Sequence, residues 1–309
     1  MIIDILIIIA GIALVLVGAD KLTDGAVGLA QRMNVSQIVI GLTIVAMGTS
    51  MPEFCVSLVS ALKGTPDLAV GNIVGSNIFN VLLIVGISAI VAPMTISKST
   101  VKRDIPFSVV ASCLLLGLGI DGELSRLDCA IFTALFLFFM AQALRSAKQG
   151  QAEEQKNEPI AVWKASLFLL LGIAGLIFGS NIFVSAASRV AASLGVSEAV
   201  IGLTIVAGGT SLPELATSVV AARKGNSSIA IGNVIGSNVF NVFMILGITG
   251  LVHPMRIMNI TGVDYGVMTL GVFLLWLFSF TKYTIAKWEG AVLSSIYVVY
   301  MGYLIMNAI

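Results

Sequence analysis

Ten apolar stretches separated by short polar breaks run along the chain, at about 2–19, 37–62, 69–92, 105–120, 128–144, 161–180, 198–222, 230–252, 263–281 and 288–307. A helix of roughly 17 to 25 apolar residues crosses a hydrocarbon core of about 30 Å. The pattern therefore predicts an all-α membrane protein with ten transmembrane helices, the first and sixth being the candidates for greater length. The opening segment MIIDILIIIAGIALVLVGAD has the apolar stretch of a signal peptide, but it lacks a basic leading region and carries Asp4, so it reads as a retained span.

The polar breaks also repeat. At an offset of 161, residues 36–94 align with 197–255 over 59 columns without a gap, and 34 columns are identical. The identities include Thr, Ser, Asn, Pro and Glu, which shared apolar composition does not produce. The expected organisation is a five-helix repeat over 1–144, a cytoplasmic linker over 145–160 too short for a regulatory domain, and a second five-helix repeat over 161–309. An odd number of crossings inserts the second repeat upside down. Inverted repeats are the usual architecture of secondary transporters, with the site near the membrane midplane.

With 58% hydrophobic and 11% charged residues, the chain has too few polar side chains to clothe a water-soluble surface of its size. Basic residues collect on the cytoplasmic side of membranes. If both termini are extracytoplasmic, only Lys63, Arg126, Arg189 and Arg256 among the 17 basic residues fall outside. Lys63 and its repeat partner Lys224 then lie on opposite sides, as inversion requires. The lack of a large cytoplasmic loop suits a multi-pass protein of a bacterial or archaeal plasma (inner) membrane. A net charge of +1 without a basic cluster gives no sign of nucleic-acid binding. Cys55, Cys113 and Cys129 lack metal-ligand or redox spacing and read as small apolar filler.

Chemistry concentrates in two strings of each repeat. GTSMPE (48–53) and GTSLPE (209–214) place Glu53 and Glu214 inside apolar spans, where a charged residue costs about 2.5–3.5 kcal/mol on insertion scales. No Lys or Arg in neighbouring spans neutralises them, so a mobile cation or a proton is the expected partner. Pro52 and Pro213 are expected to break their helices and free backbone carbonyls around Ala46–Thr49 and Ala207–Thr210, beside the hydroxyls of Thr49, Ser50, Thr210 and Ser211. GNIVGSNIFN (71–80) and GNVIGSNVFN (232–241) add Asn72, Ser76, Asn77, Asn80 and their partners Asn233, Ser237, Asn238 and Asn241. Such oxygens suit the 6–8 ligands at about 2.3–2.6 Å that calcium takes, and suit magnesium less. The glycines of these strings read equally as close-packing positions. His253, whose partner is Ala92, reads as interfacial, and Asp20, Asp24, Asp121 and Asp128 as solvated or capping residues at span ends.

The doubled GTSxPE and GNxxGSNxxN strings resemble the two alpha repeats of the cation/calcium exchanger superfamily, specifically sodium/calcium exchangers of prokaryotic type, over nearly the whole chain. That resemblance implies an antiporter of calcium and sodium with no cofactor, four cation positions between the second, third, seventh and eighth helices, and sliding of the first and sixth helices across the rest. It implies central ligands Glu53, Glu214, Asn80 and Asn241. Thr49, Ser50, Ser76 and the Ala46 carbonyl would line one side, and Thr210, Ser211, Ser237 and the Ala207 carbonyl the other. Some relatives carry Asp where Asn241 stands, so this chain has one titratable group fewer. A calcium/proton exchanger is the nearest alternative, because a desolvated Glu can carry a proton, and a passive cation channel is the next. Absence of a zinc motif or of a nucleophile with its base argues against an enzyme. The partners expected are the two ions and the lipid bilayer, with the monomer as the working unit.

Overall fold

The computed structural model describes residues 2–147, 160–196, 201, 205, 207–258 and 260–308. In chain order its helices are α1 (Ile2–Met33), α2 (Gln37–Thr49), α3 (Met51–Leu62), α4 (Pro66–Val91), α5 (Ile105–Gly119) and α6 (Arg126–Ala147), then α7 (Val162–Ser193), α8 (Ala207–Thr210), α9 (Leu212–Arg223), α10 (Ser227–Val252), α11 (Gly262–Ser279) and α12 (Lys287–Ala308). Among the described residues, α1, α4, α6, α7, α10, α11 and α12 are each long and apolar enough to cross a membrane. Together α2 and α3 make one further span, bent by 47°. The expected span at 105–120 appears as α5, which has 15 residues and continues a π-helical segment, Thr100–Asp104. Part of the expected span at 198–222, and most of the linker, lie outside the described residues.

The strictly all-α expectation needs one correction. Four two-residue strands, β1 (Met94–Thr95), β2 (Glu123–Leu124), β3 (Met255–Arg256) and β4 (Thr284–Ile285), form at helix ends. Their antiparallel pairs are Met94 with Ile285 and Leu124 with Met255, which map onto each other at the offset of 161. The chain turns extended at Ala92 (φ −147°, ψ 125°) and at His253 (φ −139°, ψ 110°), where continued helix would leave the bundle. Pairing then satisfies backbone groups that the helix no longer holds. Each pair joins one half of the chain to the other.

Ring packing crosses between the halves in the same way. Phe79 of α4 meets Tyr297 of α12 edge-on at 5.5 Å, and Phe240 of α10 meets Phe136 of α6 at 5.6 Å. Helices α4 and α10 are the centre, with 72% and 94% of their apolar windows buried. By contrast α1 and α7, at 32 residues each, have only 22% and 28% buried and lie at the lipid-facing periphery. They pack antiparallel on each other through small residues. A Cβ on Gly18 would stand 2.8 Å from the Leu176 nitrogen, and one on Gly172 2.6 Å from that of Leu22. Small residues allow the backbones this approach where lipid supplies no hydrophobic drive for association.

Since α1 continues to Met33, Asp20 and Asp24 sit within it rather than at a span end. They bind Lys224 at 2.5 and 2.7 Å, tying α1 to the end of α9. Asp128 does act as a cap, accepting the Ser125 N–H at 2.9 Å. His253 is exposed just beyond α10.

Candidate cation site

Two helix breaks face each other in the bundle. One parts α2 from α3 at Ser50 (φ −84°, ψ 8°), and the other parts α8 from α9 at Ser211 (φ −89°, ψ 8°). Pro52 and Pro213 stand in the first turn of α3 and α9. A missing N–H costs nothing there, because first-turn amides have no intrahelical acceptor. The break therefore falls at the serine, two residues before the proline. The Ala46 carbonyl is not freed by it, since it still accepts the Ser50 N–H at 3.0 Å and has the Thr49 hydroxyl 3.4 Å away. Ala207 opens α8.

Because the helices restart at Met51 and Leu212, Glu53 and Glu214 fall in first turns. The positive end of a helix dipole favours a carboxylate there by about 0.3–1 kcal/mol, and by more when partly buried. Both side chains are 1% exposed. Each is held by a hydroxyl from the opposite break: Ser211 Oγ donates to Glu53 Oε1 at 3.0 Å, and Ser50 Oγ to Glu214 Oε1 at 2.8 Å. The second oxygen of each carboxylate, Oε2, is buried without a hydrogen-bond partner among the described residues. Neither carboxylate takes part in an ion pair among the described residues.

The asparagines of α4 and α10 complete the arrangement. Asn80 and Asn241 lie in π-helical turns, Phe79–Ile84 and Phe240–Leu246, a distortion frequent at functional sites. Asn80 Nδ2 donates to Asn238 Oδ1 at 3.0 Å, and Asn241 Nδ2 to Asn77 Oδ1 at 2.9 Å. Their own oxygens, Asn80 Oδ1 and Asn241 Oδ1, are buried and receive no donor among the described residues. Leaving a buried polar atom unpaired costs about 1–3 kcal/mol. Here four such oxygens occur as two symmetric pairs, all acceptors.

Of the other candidates, Ser76 Oγ lies 3.1 Å from Ser211 Oγ and is the donor there when the Ser211 hydrogen goes to Glu53, whereas Ser237 Oγ is buried with no partner among the described residues. Thr49 reaches Asn233 Oδ1 at 3.1 Å, and the Thr210 side chain lies within hydrogen-bonding reach of Glu53. The structure adds braces that the sequence reading left unassigned. Asn72 Nδ2 donates to Ser57 Oγ at 3.0 Å and to the Glu53 carbonyl at 3.2 Å; Asn233 does the same with Ser218 and Glu214, at 3.0 and 3.3 Å. Ser57 and Ser218 are identical at the repeat offset. That polar identity amid apolar drift was the available signal.

The two sides of this arrangement differ. On the Thr49 side the helices are closed, with Thr49 1% and Asn233 0% exposed and a Gly41 Cβ only 3.0 Å from the Ile229 carbonyl. On the other side Asn72 and Thr210 are half-buried. Beside Thr210 lies a cavity of about 420 Å3 between α3, α7 and α8, walled by Pro52, Cys55, Ser180, Asn181 and Ser185 among others. The carboxylates themselves do not line this cavity; it reaches Pro52 and Thr210, next to the oxygen-rich site that holds them.

Comparison with known proteins gives a consistent answer. A sequence profile of the family described as sodium/calcium exchanger protein matches residues 3–145 and 164–306. The chain is 34% identical to the sodium/calcium exchanger MaX1 of Methanosarcina acetivorans, with 97% of each chain covered. It is 38% identical to the inner membrane protein YrbG of Escherichia coli, over 85% of this chain and 84% of that one. A solved structure of the sodium-calcium exchanger NCX_Mj, soaked with sodium and calcium, superposes with a TM-score of 0.86 at 32% identity, covering 98% of both chains.

Proposed function

The chain belongs to the sodium/calcium exchanger family, whose members are transporters and not enzymes, and on that premise we propose that it exchanges calcium for sodium by alternating access. Glu53, Glu214, Asn80 and Asn241 are its central ligands in this reading. Thr49, Ser50, Ser76 and the Ala46 carbonyl serve one side of the site, and Thr210, Ser211, Ser237 and the Ala207 carbonyl the other. The carrying observation is the set of four buried oxygens without a donor among the described residues, Glu53 Oε2, Glu214 Oε2, Asn80 Oδ1 and Asn241 Oδ1. Together with the two Oε1 atoms they make six oxygens and two negative charges, at the lower end of the number calcium takes. Smaller charge on sodium is offset by number, because hydroxyl and carbonyl oxygens flank the carboxylates on both sides.

The architecture in this reading is ten transmembrane helices as two inverted five-helix repeats, 1–144 and 161–309, with the linker 145–160 and both termini placed by charge as above. The mirrored strand pairs and ring contacts favour it. The unit of transport is the monomer, since both halves of the site come from one chain.

Calcium uptake into proteoliposomes loaded with sodium, compared with vesicles carrying only a proton gradient, tests the coupling. Uptake is expected to require internal sodium. Uptake driven by protons alone would move the chain to calcium/proton exchange, and uptake indifferent to both would indicate a channel.

Sliding of α1 and α7 is the proposed motion, and the Lys224 pair offers a handle on it. At the repeat offset, Lys224, Asp20 and Asp24 correspond to Lys63, Asn181 and Ser185, so the open side has no acidic counterpart. Half-exposed ion pairs are worth about 0.2–1 kcal/mol. Replacing Asp20 and Asp24 by Asn is therefore expected to shift the access equilibrium about two- to fivefold towards closure of the cavity. The measurement is the rate at which an impermeant thiol reagent modifies Cys55, in a chain with Cys113 replaced by Ala. An unchanged rate would remove the pair from the mechanism.

A further inference from the structure

The two asparagine pairs at the centre are alike in sequence and unlike in how they are held. An amide has a donor end and an acceptor end, and its neighbours decide which way it faces. Asn77 Nδ2 donates to the main-chain carbonyl of Asn238 at 3.3 Å. A carbonyl can only accept, so that end of Asn77 must be the nitrogen and the other end the oxygen. The oxygen takes Asn241 Nδ2 at 2.9 Å, which turns Asn241 Oδ1 to the opposite side, where it is buried and receives no donor among the described residues. Asn238 lacks such a constraint: its Oδ1 takes Asn80 Nδ2 at 3.0 Å, but its own Nδ2 is buried with no acceptor among the described residues. If both amides of that pair turned over, they would still be bonded, and Asn80 would present nitrogen instead of oxygen.

We propose that Asn77 is a positioning residue for transport: locked by the Asn238 main chain, it keeps the Asn241 oxygen facing the cation, while Asn80 is held by Asn238 without that lock. This rests on the reading of Asn241 as a ligand. The chemical consequence is an always-ready neutral acceptor at 241. A cation meeting the amide nitrogen would be repelled, so an unlocked Asn241 binds it only in the fraction of time that its oxygen faces inward.

Calcium binding to the purified full-length chain, followed by isothermal titration calorimetry, provides the test through a double-mutant cycle. Asn241→Ala is expected to weaken binding tenfold or more, and Asn77→Ala at least about twofold, the loss for an amide that faces either way equally, with the double variant no weaker than Asn241→Ala alone. Asn241→Asp supplies the control that a packing role would not pass. A carboxylate has no nitrogen end and needs no orienting, so in that background Asn77→Ala should leave affinity unchanged. If Asn77→Ala does not fold, Asn77→Ser carries the same cycle. Unchanged affinity in Asn77→Ala, additive losses with Asn241→Ala, or an equal loss in the Asn241→Asp background would each overturn the proposal. No effect of Asn241→Ala itself would instead overturn the ligand reading on which it stands.

Discussion

Glu53→Gln and Glu214→Gln should each abolish calcium transport and weaken calcium binding by at least a hundredfold, while leaving the melting temperature of the cation-free protein unchanged or raised. The binding loss follows from removing one of two charges from a site with no other acid: breaking one partner of a buried ionic contact costs about 3–5 kcal/mol, and about 1.4 kcal/mol is a factor of ten. The stability sign follows from the geometry. Glutamine is nearly isosteric, and its oxygen can still accept from Ser211 or Ser50, whose bonds to Oε1 are 3.0 and 2.8 Å. What disappears is a buried carboxylate with one oxygen unpartnered, and that was a cost to the empty protein. Equilibrium binding of radiolabelled calcium and thermal unfolding in detergent separate the two effects. A variant that lost stability as well as binding would make the carboxylates structural, and one that kept binding would place the cation elsewhere.

Much of this is legible in the sequence alone, for a physical reason. Burial makes a carboxylate expensive, so Glu53 and Glu214 stood out against their apolar surroundings, and the repeat doubled the signal. Charge placed inside lipid must have a partner, and the sequence offered no base. Backbone detail was less accessible. Proline marks a disturbed helix, but only the coordinates show that Pro52 and Pro213 begin new helices and that the breaks fall at Ser50 and Ser211. Ser76 and Asn80 are four residues apart, a spacing that shares a face on a regular helix, yet the π-helical turn beginning at Phe79 changes the pitch where Asn80 projects. The Asp20 and Asp24 pairing with Lys224 was hidden for a different reason: its partners are about 200 positions apart, and the two aspartates lie outside the part of the repeat that matches. Asymmetry was invisible altogether. Two nearly identical strings cannot say which of them is closed.

That asymmetry makes Gly75 and Gly236 the sharpest pair of test positions. They hold the same place in the two repeats. A Cβ on Gly236 would stand 2.6 Å from the Leu42 carbonyl and 2.7 Å from the Ala46 Cβ, whereas Gly75 is exposed and a Cβ there would meet no atom of the described residues within 4 Å. Gly236→Ala should therefore destabilise the protein by about 1–3 kcal/mol, the usual cost of overpacking, because the obstacle is backbone and cannot turn aside. Gly75→Ala should be neutral or stabilising by up to about 1 kcal/mol, since alanine is the better helix former. Turnover should reverse that ranking's meaning. If the two sides exchange roles in each cycle, the face at Gly75 must close as the face at Gly236 is closed here, and a methyl group in the way stops it. Gly75→Ala is thus expected to bind calcium with nearly parental affinity, to melt no lower, and to exchange calcium for sodium at least tenfold more slowly, with Cys55 open to thiol reagents in either ion. Stability and transport measured on the same preparation decide it. Slow exchange without loss of stability is what a two-state carrier requires, since the residue is unconstrained in one state and confined in the other; full-speed exchange would mean that the Gly75 face never closes, and alternating access between mirror-related states would have to be given up.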